Sequence, residues 1–339
     1  KMDLEILREI GEWAAYGFYE AGQAGLPWPR AYGLAYRRLY ENMAADVPAG
    51  KLLIPCEPFF RCRNMRTDNL WTAAGLILDF HHHCGLKVNP CIAAARKEAY
   101  PQHAAFIDRL CDDLGGKLVH FGGYTHSNPD IRRVVDEGFL AMEAELDGQL
   151  AAVNAAGDSA AAAERNLLLA LKDYTTGVRA YHATVCAALA AAAEQAAGER
   201  KSEIGQIRRA FATCFLNPSR TFLEGFLAVN FTWMLDGCDS IGRFDQALGR
   251  LYEADLASGA LDPAFAARLL DEFWQSFEDM NGWNLQLGGA TPEGADGTNA
   301  LTLACLAACA RNRLRRPNVA LRLTRETPDE VLVSALQAL

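Results

Sequence analysis

Apolar residues recur at helical spacing through most of this chain. Residues 3–22 carry them three or four positions apart, at Leu4, Leu7, Ile10 and Trp13, and this period is typical of a helix with one buried face. The same pattern predicts further helices at residues 30–45, 69–83, 91–114, 160–197, 202–214, 219–235, 262–280 and 298–313. The chain is therefore predicted to be mainly helical.

Two short segments alternate between polar and apolar residues instead. Residues 284–288 have the sequence Asn-Leu-Gln-Leu-Gly, and residues 317–323 place Val319, Leu321 and Leu323 on one face. Alternation with a period of two is typical of a strand with one buried face. Because a helix separates the two segments, we expect them to pair in parallel within a covered sheet, which makes the fold class α/β. Shorter strand-sized runs occur at residues 52–54 and 117–120.

The pattern of the C-terminal region indicates that the chain is incomplete on its own. Its last predicted helix begins at a capping box, Thr327-Pro-Asp-Glu330, but no Gly, Asn or basic last turn closes it before Leu339. About four strand candidates occur in the whole chain, and so small a sheet would leave unpaired edges. We therefore expect further strands to come from elsewhere.

Composition argues against several classes of protein. The 33 basic and 42 acidic residues give a net charge of −9, which argues against a general nucleic-acid binder. Apart from weakly apolar alanine-rich stretches, no run of about 18 apolar residues is free of polar breaks, so no membrane span is expected. The 10 cysteines are scattered, without a CxxC pair or a signal peptide, so they are predicted to be reduced thiols of a cytoplasmic protein.

One histidine run is a candidate metal site. His81-His-His-Cys84 offers four ligating side chains, but adjacent residues of a helix or strand do not converge on one ion, and the run contains no helical i, i+4 ligand pair. A packed or interfacial histidine run is therefore favoured over a zinc or iron site, and no metal site is predicted. The sequence also has no P-loop, dinucleotide-binding or nucleophile-elbow pattern.

Six segments match, in order, the motifs of one protein family. Gly123-Tyr-Thr-His126-Ser-Asn-Pro129-Asp130 is close to G-H-x-x-P-D, Asn217-Pro-Ser-Arg-Thr-Phe-Leu-Glu224 to P-A-R-T-F-x-E-A, and Gly242-Arg-Phe-Asp-Gln246 matches G-R-F-D-Q. The motifs N-L-x-x-G-G, D-A-T-N-x-L and Q-P-x-L-S-V-R-x-x-x-x-T-P are matched by Asn284-Leu-Gln-Leu-Gly-Gly289, Asp296-Gly-Thr-Asn299 and Pro317-Asn-Val-Ala-Leu-Arg322 with Thr327-Pro328. By these motifs the chain resembles the glycyl radical enzymes in their pyruvate formate-lyase-like domain.

The resemblance implies a fold and a reaction. Glycyl radical enzymes have a ten-stranded α/β barrel made of two five-stranded halves, so this chain is expected to form about one half of such a barrel. Residues 116–339 would supply that first half, and residues 1–115, which match only loosely, would form an N-terminal helical region. Because the family abstracts a hydrogen atom from substrate with a thiyl radical, the implied activity is that of a lyase or dehydratase, or of a formate acetyltransferase, on a small polar metabolite.

The two radical-bearing residues of the family are not matched in this sequence. Their loops would follow residue 339, so no residue here is assigned a catalytic role and no cofactor is expected on this chain. The resemblance implies a second subunit or C-terminal half that carries the thiyl Cys and the radical Gly, together with a radical-SAM activating enzyme that installs the glycyl radical. Such a protein would work in an anaerobic cytoplasm, with homo-oligomerisation left open. The alternative is a catalytically inactive relative that serves as a binding or assembly subunit.

Three residues are candidate substrate contacts by the same resemblance. His126 matches a position that faces substrate in some members, although a structural cap of the turn before Pro129 explains it equally well. Asp239 and Ser240 precede the G-R-F-D-Q motif, where members place polar substrate contacts.

Four further residues are given structural roles. Arg243 and Asp245 are expected to form an internal ion pair. Asn284 and Asn299 are expected to hold loops rather than substrate.

Overall fold

The computed structural model describes residues 1–56, 60–61, 72–73, 76–81, 85–117, 128–156, 161–236, 240–280 and 282–339. The chain forms two compact units. The first unit comprises Lys1–Ala45, Asn69–Thr125 and Leu140–Ala187, and the second comprises Asp46–Asp68, His126–Phe139 and Ala188–Leu339. The division between residues 115 and 116 that the motifs indicate stays a prediction.

The described elements are mainly helices, as the periodicity predicts. In chain order they are α1 Leu4–Glu9, α2 Trp13–Gln23, α3 Trp28–Glu41, α4 Pro90–Ala99, α5 Ala104–Gly115, α6 Ile131–Asp136, α7 Phe139–Ala156, α8 Ala161–Gln195, α9 Gly198–Phe211, α10 Phe222–Asp236, α11 Phe244–Ser258, α12 Pro263–Met280, α13 Ala300–Asn312 and α14 Asp329–Ala338. The strands are β1 Phe60–Arg61, β2 Thr72–Ala73, β3 Leu78–His81, β4 Gly85–Val88, β5 Ser240–Arg243, β6 Asn284–Gly288 and β7 Asn318–Arg322. None of the described helices is both long and apolar enough to cross a bilayer.

Two of the predicted helices are interrupted by a local backbone constraint. Gly11 has a φ of 74°, a left-handed conformation that glycine adopts at little cost, so residues 3–22 form α1 and α2 rather than one helix. Pro101 has no backbone N–H to donate, and it opens a short 3₁₀ turn, Pro101–His103, between α4 and α5. The side-chain pattern continues through both breaks, which is why periodicity alone predicts single helices.

The helix predicted at residues 69–83 is wrong where the structure describes it. β3 and β4 pair antiparallel as a hairpin, with Leu78 opposite Val88 and His81 opposite Gly85. The rest of the histidine run, residues 82–84, lies outside the described residues.

The strand-sized run at residues 52–54 is buried but forms no strand. The carboxylate of Glu272 accepts hydrogen bonds from Leu52 N at 2.8 Å and from Leu53 N at 3.0 Å. A side chain therefore satisfies the backbone of this segment in place of a neighbouring strand. Residues 118–120 of the other predicted run lie outside the described residues.

Glycines let the helices of the first unit approach closely. A Cβ added at Gly17 of α2 would lie 2.2 Å from Leu34 O of α3, and one added at Gly33 of α3 would lie 2.5 Å from Ala170 O of α8. Real Cβ atoms do not come this close to backbone oxygens, so both contacts require glycine. The alanine-rich α8 thus packs directly on α3, and Tyr174 lies edge-on to Tyr40 with ring centroids 5.8 Å apart.

The second unit contains a three-stranded parallel sheet in the order β5-β6-β7. Asn284 pairs with Asn318, and Leu287 pairs with Leu321, which confirms the predicted parallel pairing of the two alternating segments. β5 was not predicted as a strand, because its four residues Ser-Ile-Gly-Arg carry no clear alternation. It adds a parallel neighbour on the other side of β6.

Helices and aromatic side chains cover one face of this sheet. α11 packs against β5 and β6, and Ile241, Leu285 and Leu287 are fully buried. Deeper in the core, Phe226 lies 5.2 Å from Phe273 between ring centroids, one of several edge-to-face contacts. Burial of each such ring stabilises the fold by about 1.5–3 kcal/mol, so this face anchors the strands firmly.

Candidate functional site

The other face of the sheet carries polar side chains and opens on a cavity. The cavity has a volume of about 210 Å³ and is lined by Asn128, Ser240, Gly242, Trp283, Asn284 and Gln286. Four of these residues belong to β5 and β6, so the neighbouring parallel strands bring them together.

The alternation of β6 explains which residues reach the cavity. Leu285 and Leu287 are buried on the helix-covered face, and since side chains alternate between faces along a strand, Asn284 and Gln286 point to the opposite side. Both are partly exposed. Polar residues on this side of β6 therefore form the floor of the cavity.

A bulge in β5 shapes the next part of the wall. Ser240 pairs with Asn284 and Arg243 pairs with Gln286, so three residues of β5 span the length of two in β6. Gly242 lies within this bulge with a φ of 75°, a conformation that suits glycine. A Cβ there would lie 4.0 Å from Asn128 Cβ, an ordinary contact distance, so the left-handed backbone rather than crowding favours glycine at this position.

The carboxamides of the cavity are available to a ligand. Over the described ranges, no hydrogen bond engages the side chains of Asn128, Asn284 or Gln286. Trp283, which also lines the cavity, is held in place by a hydrogen bond. With the Asn318 amide oriented so that its oxygen faces the indole, Trp283 Nε1 donates to that oxygen at 2.8 Å.

Arg243 and Asp245 do not form the predicted ion pair, and this expectation is corrected. Arg243 Nη2 donates to the backbone oxygens of Gly288 at 2.8 Å and Ala290 at 2.9 Å. Asp245, which is fully buried, accepts a hydrogen bond from Gly288 N at 2.8 Å. Because burial disfavours the charged form, it raises the pKa of Asp245. Arg243 therefore binds the carbonyl oxygen of Gly288, and Asp245 binds its N–H. Together the two side chains fix the end of β6.

The two asparagines with predicted structural roles differ. Asn299 caps α13, accepting from Leu301 N and Thr302 N at 3.0 and 3.2 Å, and its amide donates to Asp245 O at 3.2 Å. It therefore occupies a loop-holding position. Asn284 does not, since it lines the cavity on β6.

Asp296 holds the glycine-rich loop that follows β6 and contains Gly289, Gly294 and Gly297. Its Oδ2 accepts from Thr324 Oγ1 and from Thr327 Oγ1, each at 2.6 Å. Partial burial by itself raises the pKa of Asp296, but hydrogen bonds from Thr298, Thr324 and Thr327 outweigh it and hold that pKa below its usual range. A carboxylate so fully engaged ties the loop after β6 to the loop after β7.

The structure places one of the three candidate substrate contacts. Ser240 is buried and lines the cavity, whereas His126 and Asp239 lie outside the described residues. Within the ranges described here, no group of three His, Cys, Asp or Glu side chains lies close enough to hold a metal ion.

Sequence reasoning missed three residues that line the cavity. Gln286 carries a usable signal, since it follows Asn284 at strand spacing on the polar side of an alternating segment. Asn128 and Trp283 lie in connecting segments, the first of them two residues after His126 in the Gly123–Asp130 motif and the second directly before Asn284. These neighbours place both residues near the motifs, but only tertiary contacts show that their side chains line the cavity.

Comparison with known proteins identifies the class. A model of the pyruvate formate lyase-like family matches residues 98–339, so the chain belongs to the pyruvate formate lyase-like family. Among solved structures, a glycyl radical enzyme from Archaeoglobus fulgidus superposes with a TM-score of 0.69 and 18% identity, covering 99% of this chain and 50% of that one.

Particular relatives are lyases and dehydratases. Isethionate sulfite-lyase of Nitratidesulfovibrio vulgaris is 28% identical over 230 residues, which cover 60% of this chain and 28% of that protein. Trans-4-hydroxy-L-proline dehydratase of Clostridioides difficile is 27% identical over 131 residues, or 33% of this chain and 17% of that protein. The glycerol-bound B12-independent glycerol dehydratase of Clostridium butyricum superposes with a TM-score of 0.76 at 18% identity, covering 97% of this chain and 47% of that one.

These comparisons confirm the predicted family and fold class. The chain spans about half the length of the solved structures that it matches, and the matched region is less than a third of each curated relative. A mainly helical α/β fold that forms part of the barrel agrees with both observations.

Proposed function

We propose that this chain is part of a glycyl radical lyase or dehydratase and forms one half of its barrel. The observation that carries the proposal is a cavity on the parallel sheet, lined mostly by residues with polar side chains, in a chain that belongs to this family and spans about half of its solved members. A second polypeptide or a C-terminal half would supply the remaining strands, the thiyl Cys and the radical Gly.

In this proposal the chain binds and orients the substrate. Ser240, Asn284 and Gln286 would contact it from β5 and β6, and His126 and Asp239 would complete the contacts. The thiyl radical of the other half would take a hydrogen atom from a substrate carbon, so that a C–H bond breaks and an S–H bond forms. A closed barrel favours such a reaction because it keeps water and other quenchers away from the radical.

Electron paramagnetic resonance after anaerobic activation tests the proposal. The native protein, activated by its radical-SAM enzyme, is expected to show a glycyl radical signal and to consume substrate. If the native mass equals this chain and no partner carries the cysteine and glycine loops, the proposal fails. If the complete assembly gives no radical signal, the chain belongs instead to a catalytically inactive binding or assembly subunit.

A pair of serine variants tests the position of the site. Ser240→Ala removes a hydroxyl from the cavity and is expected to lower kcat/KM about tenfold, because one hydrogen bond to substrate is lost, while the radical signal is unchanged. Ser258→Ala is the matched control, since Ser258 is exposed and its hydroxyl bonds only to Asp255 O among the described residues. Equal activity of both variants would place the site elsewhere.

A further inference from the structure

We propose that Tyr19 and Asp113 form a one-electron redox site in the first unit, which receives an oxidising equivalent from the exposed Trp28 across the ring of Phe18. The phenol of Tyr19 gives up an electron, and Asp113 takes the phenolic proton. The inference does not rest on the proposed function, since all four residues belong to the first unit and none of them is among the residues that line the cavity.

The phenol and the carboxylate are already joined by a short hydrogen bond. Tyr19 belongs to α2 and is only 7% exposed, and its Oη donates to Asp113 Oδ2 of α5 at 2.5 Å. Loss of an electron makes a phenol a strong acid, so the oxidation of a buried tyrosine requires a nearby base that accepts its proton. Asp113 is such a base, and it lies within a single hydrogen bond of the phenol.

The protonation states at rest suit this reaction. Burial, and after it the hydrogen bond to Asp113, raise the pKa of Tyr19 above its usual range, so the phenol keeps its proton until it is oxidised. Desolvation by itself raises the pKa of Asp113, but hydrogen bonds from Lys117 and Tyr19 outweigh it, and this pKa lies below its usual range. At neutral pH the acceptor is therefore an ionised carboxylate that has room for the proton.

Lys117 couples the movement of the proton to that of the electron. Its Nζ lies 2.6 Å from the same Oδ2 of Asp113 and 5.3 Å from the centroid of the Tyr19 ring. A cation over an aromatic ring is attracted by the electrons of that ring, so Lys117 opposes the loss of an electron alone. Transfer of the phenolic proton to Asp113 leaves a neutral phenoxyl radical and thereby avoids a second positive charge beside Lys117.

An aromatic path connects this site to the surface. Trp28, the first residue of α3, is 38% exposed. The centroid of its ring lies 5.2 Å from that of Phe18, and the Phe18 centroid lies 5.5 Å from that of Tyr19, with both pairs nearly edge-on. Electrons pass between aromatic rings in contact, whereas the phenyl ring itself is too hard to oxidise to hold the charge. Phe18 therefore bridges Trp28 and Tyr19 without becoming a radical.

The proposed transfer balances in electrons and protons. A one-electron oxidant takes an electron from the indole of Trp28 and leaves a radical cation. An electron from Tyr19 then restores the neutral indole, while the phenolic O–H bond breaks and the proton forms an O–H bond with Asp113. The products are a phenoxyl radical and a protonated carboxyl. A one-electron reductant such as ascorbate returns the electron from solution, and Asp113 returns the proton.

Pulse radiolysis of the native protein, without activation, tests the inference. The azidyl radical is the oxidant, because it takes an electron from exposed indoles faster than from phenols. We expect the indolyl absorbance to decay and the phenoxyl absorbance to rise at one common rate that does not depend on protein concentration. The inference fails if no phenoxyl radical forms, or if it forms only in collisions between protein molecules.

Two phenylalanine variants locate the ends of the path. Trp28→Phe and Tyr19→Phe each keep an aromatic ring in place, and each should remove the concentration-independent rise, so either one decides if the other has a lowered unfolding temperature. Trp283→Phe is the matched control, since Trp283 is 37% exposed but belongs to the second unit, and it should leave the rise unchanged. A rise that survives Tyr19→Phe but is lost in Tyr32→Phe, where the ring lies 5.8 Å from that of Trp28, would overturn the inference.

Asp113→Asn tests the proton acceptor separately from the packing. The carboxamide keeps the shape and still accepts a hydrogen bond from the phenol, but it does not take the proton. We expect the phenoxyl radical to form severalfold more slowly than in the native protein, whereas Asp112→Asn, at an exposed neighbour on α5, should leave the rate unchanged. If Asp113 only joins α2 to α5, its replacement lowers the unfolding temperature but not the rate, and that result would overturn its assignment as the base.

Discussion

The carboxylate of Asp245 accepts a hydrogen bond of 2.8 Å from the backbone N–H of Gly288. The same Oδ2 accepts from Thr302 Oγ1 at 2.5 Å. Asp245 belongs to the first turn of α11, Gly288 ends β6 and Thr302 belongs to α13. One buried side chain therefore joins a strand to the helix before it and the helix after it, on the side of the sheet opposite the cavity.

Replacement of Asp245 should destabilise the second unit. Asp245→Ala leaves the buried Gly288 N–H and the Thr302 hydroxyl without an acceptor, so we expect the free energy of unfolding to fall by about 1–3 kcal/mol. Urea denaturation measures the change. Asp112→Ala, at an exposed position of α5, is the control and should change stability by less than about 0.5 kcal/mol. Similar losses in the two variants would contradict the role assigned to Asp245.

Glu12 should make stability depend on pH. It is fully buried and accepts hydrogen bonds from Ile77 N at 2.8 Å and Arg96 Nε at 3.0 Å. Burial raises the pKa of Glu12 to about 7, although Arg96 opposes this. The carboxyl ionises near pH 4.5 in the unfolded chain but holds its proton to about pH 7 in the folded one. The contribution of Glu12 to the free energy of unfolding therefore falls as pH rises between these two values.

Glu12→Gln checks this dependence. The stability of the native protein relative to the variant should fall by about 3 kcal/mol between pH 4.5 and 7.5, because each unit of pKa difference corresponds to about 1.4 kcal/mol. Chemical denaturation at several pH values measures it. Parallel pH profiles of the two proteins would show that Glu12 does not titrate in this range.

Gly242 and Gly148 should respond in opposite ways to alanine. Gly242→Ala forces a side chain into a backbone with φ of 75° beside Asn128, so we expect a loss of about 1–2 kcal/mol in stability and weaker ligand binding. Gly148→Ala in α7 meets nothing within 4 Å and should gain about 0.5–1 kcal/mol from its better helix propensity. Thermal unfolding and ligand titration distinguish the two, and a stabilising Gly242→Ala would refute the strained geometry of the bulge.

Gly17 and Gly22 offer a similar pair in the first unit. Gly17→Ala places a Cβ 2.2 Å from Leu34 O, so α2 and α3 must separate and we expect a loss of about 1–3 kcal/mol. Gly22→Ala, on the same helix with nothing within 4 Å, should be neutral or stabilising. If both substitutions are tolerated equally, α2 and α3 do not pack as closely as described.

The helices and strands that depend on local sequence patterns could be predicted. The periodicity of residues 160–197 and the alternation of residues 284–288 correspond to α8 and β6 with errors of a few residues at most. The Asn299 cap and the turn after β6 also follow from residues close together in the chain. The hairpin of β3 and β4 was not predicted, because residues 69–83 also have helical periodicity. In the folded chain the pairing of the two strands outweighs that local preference.

The candidate site was predictable only in part. Ser240 and the motif around Arg243 and Asp245 stand out by their resemblance to a family, but their partners do not. The ion pair expected between neighbours in sequence gives way to contacts with Gly288 and Ala290, more than 40 residues away along the chain.

The sequence by itself determined most of the helices, the alternating strands β6 and β7, and the family, because each depends on residue types within a few positions or on ordered motifs. Tertiary structure decided that β5 pairs with β6, that α11 covers Leu285 and Leu287, and that Asn284 and Gln286 consequently face a cavity. The physical reason is that a strand has two equivalent faces until something packs on one of them. Burial of the leucines against a helix far away in sequence leaves the amides on the open side, where a ligand can reach them.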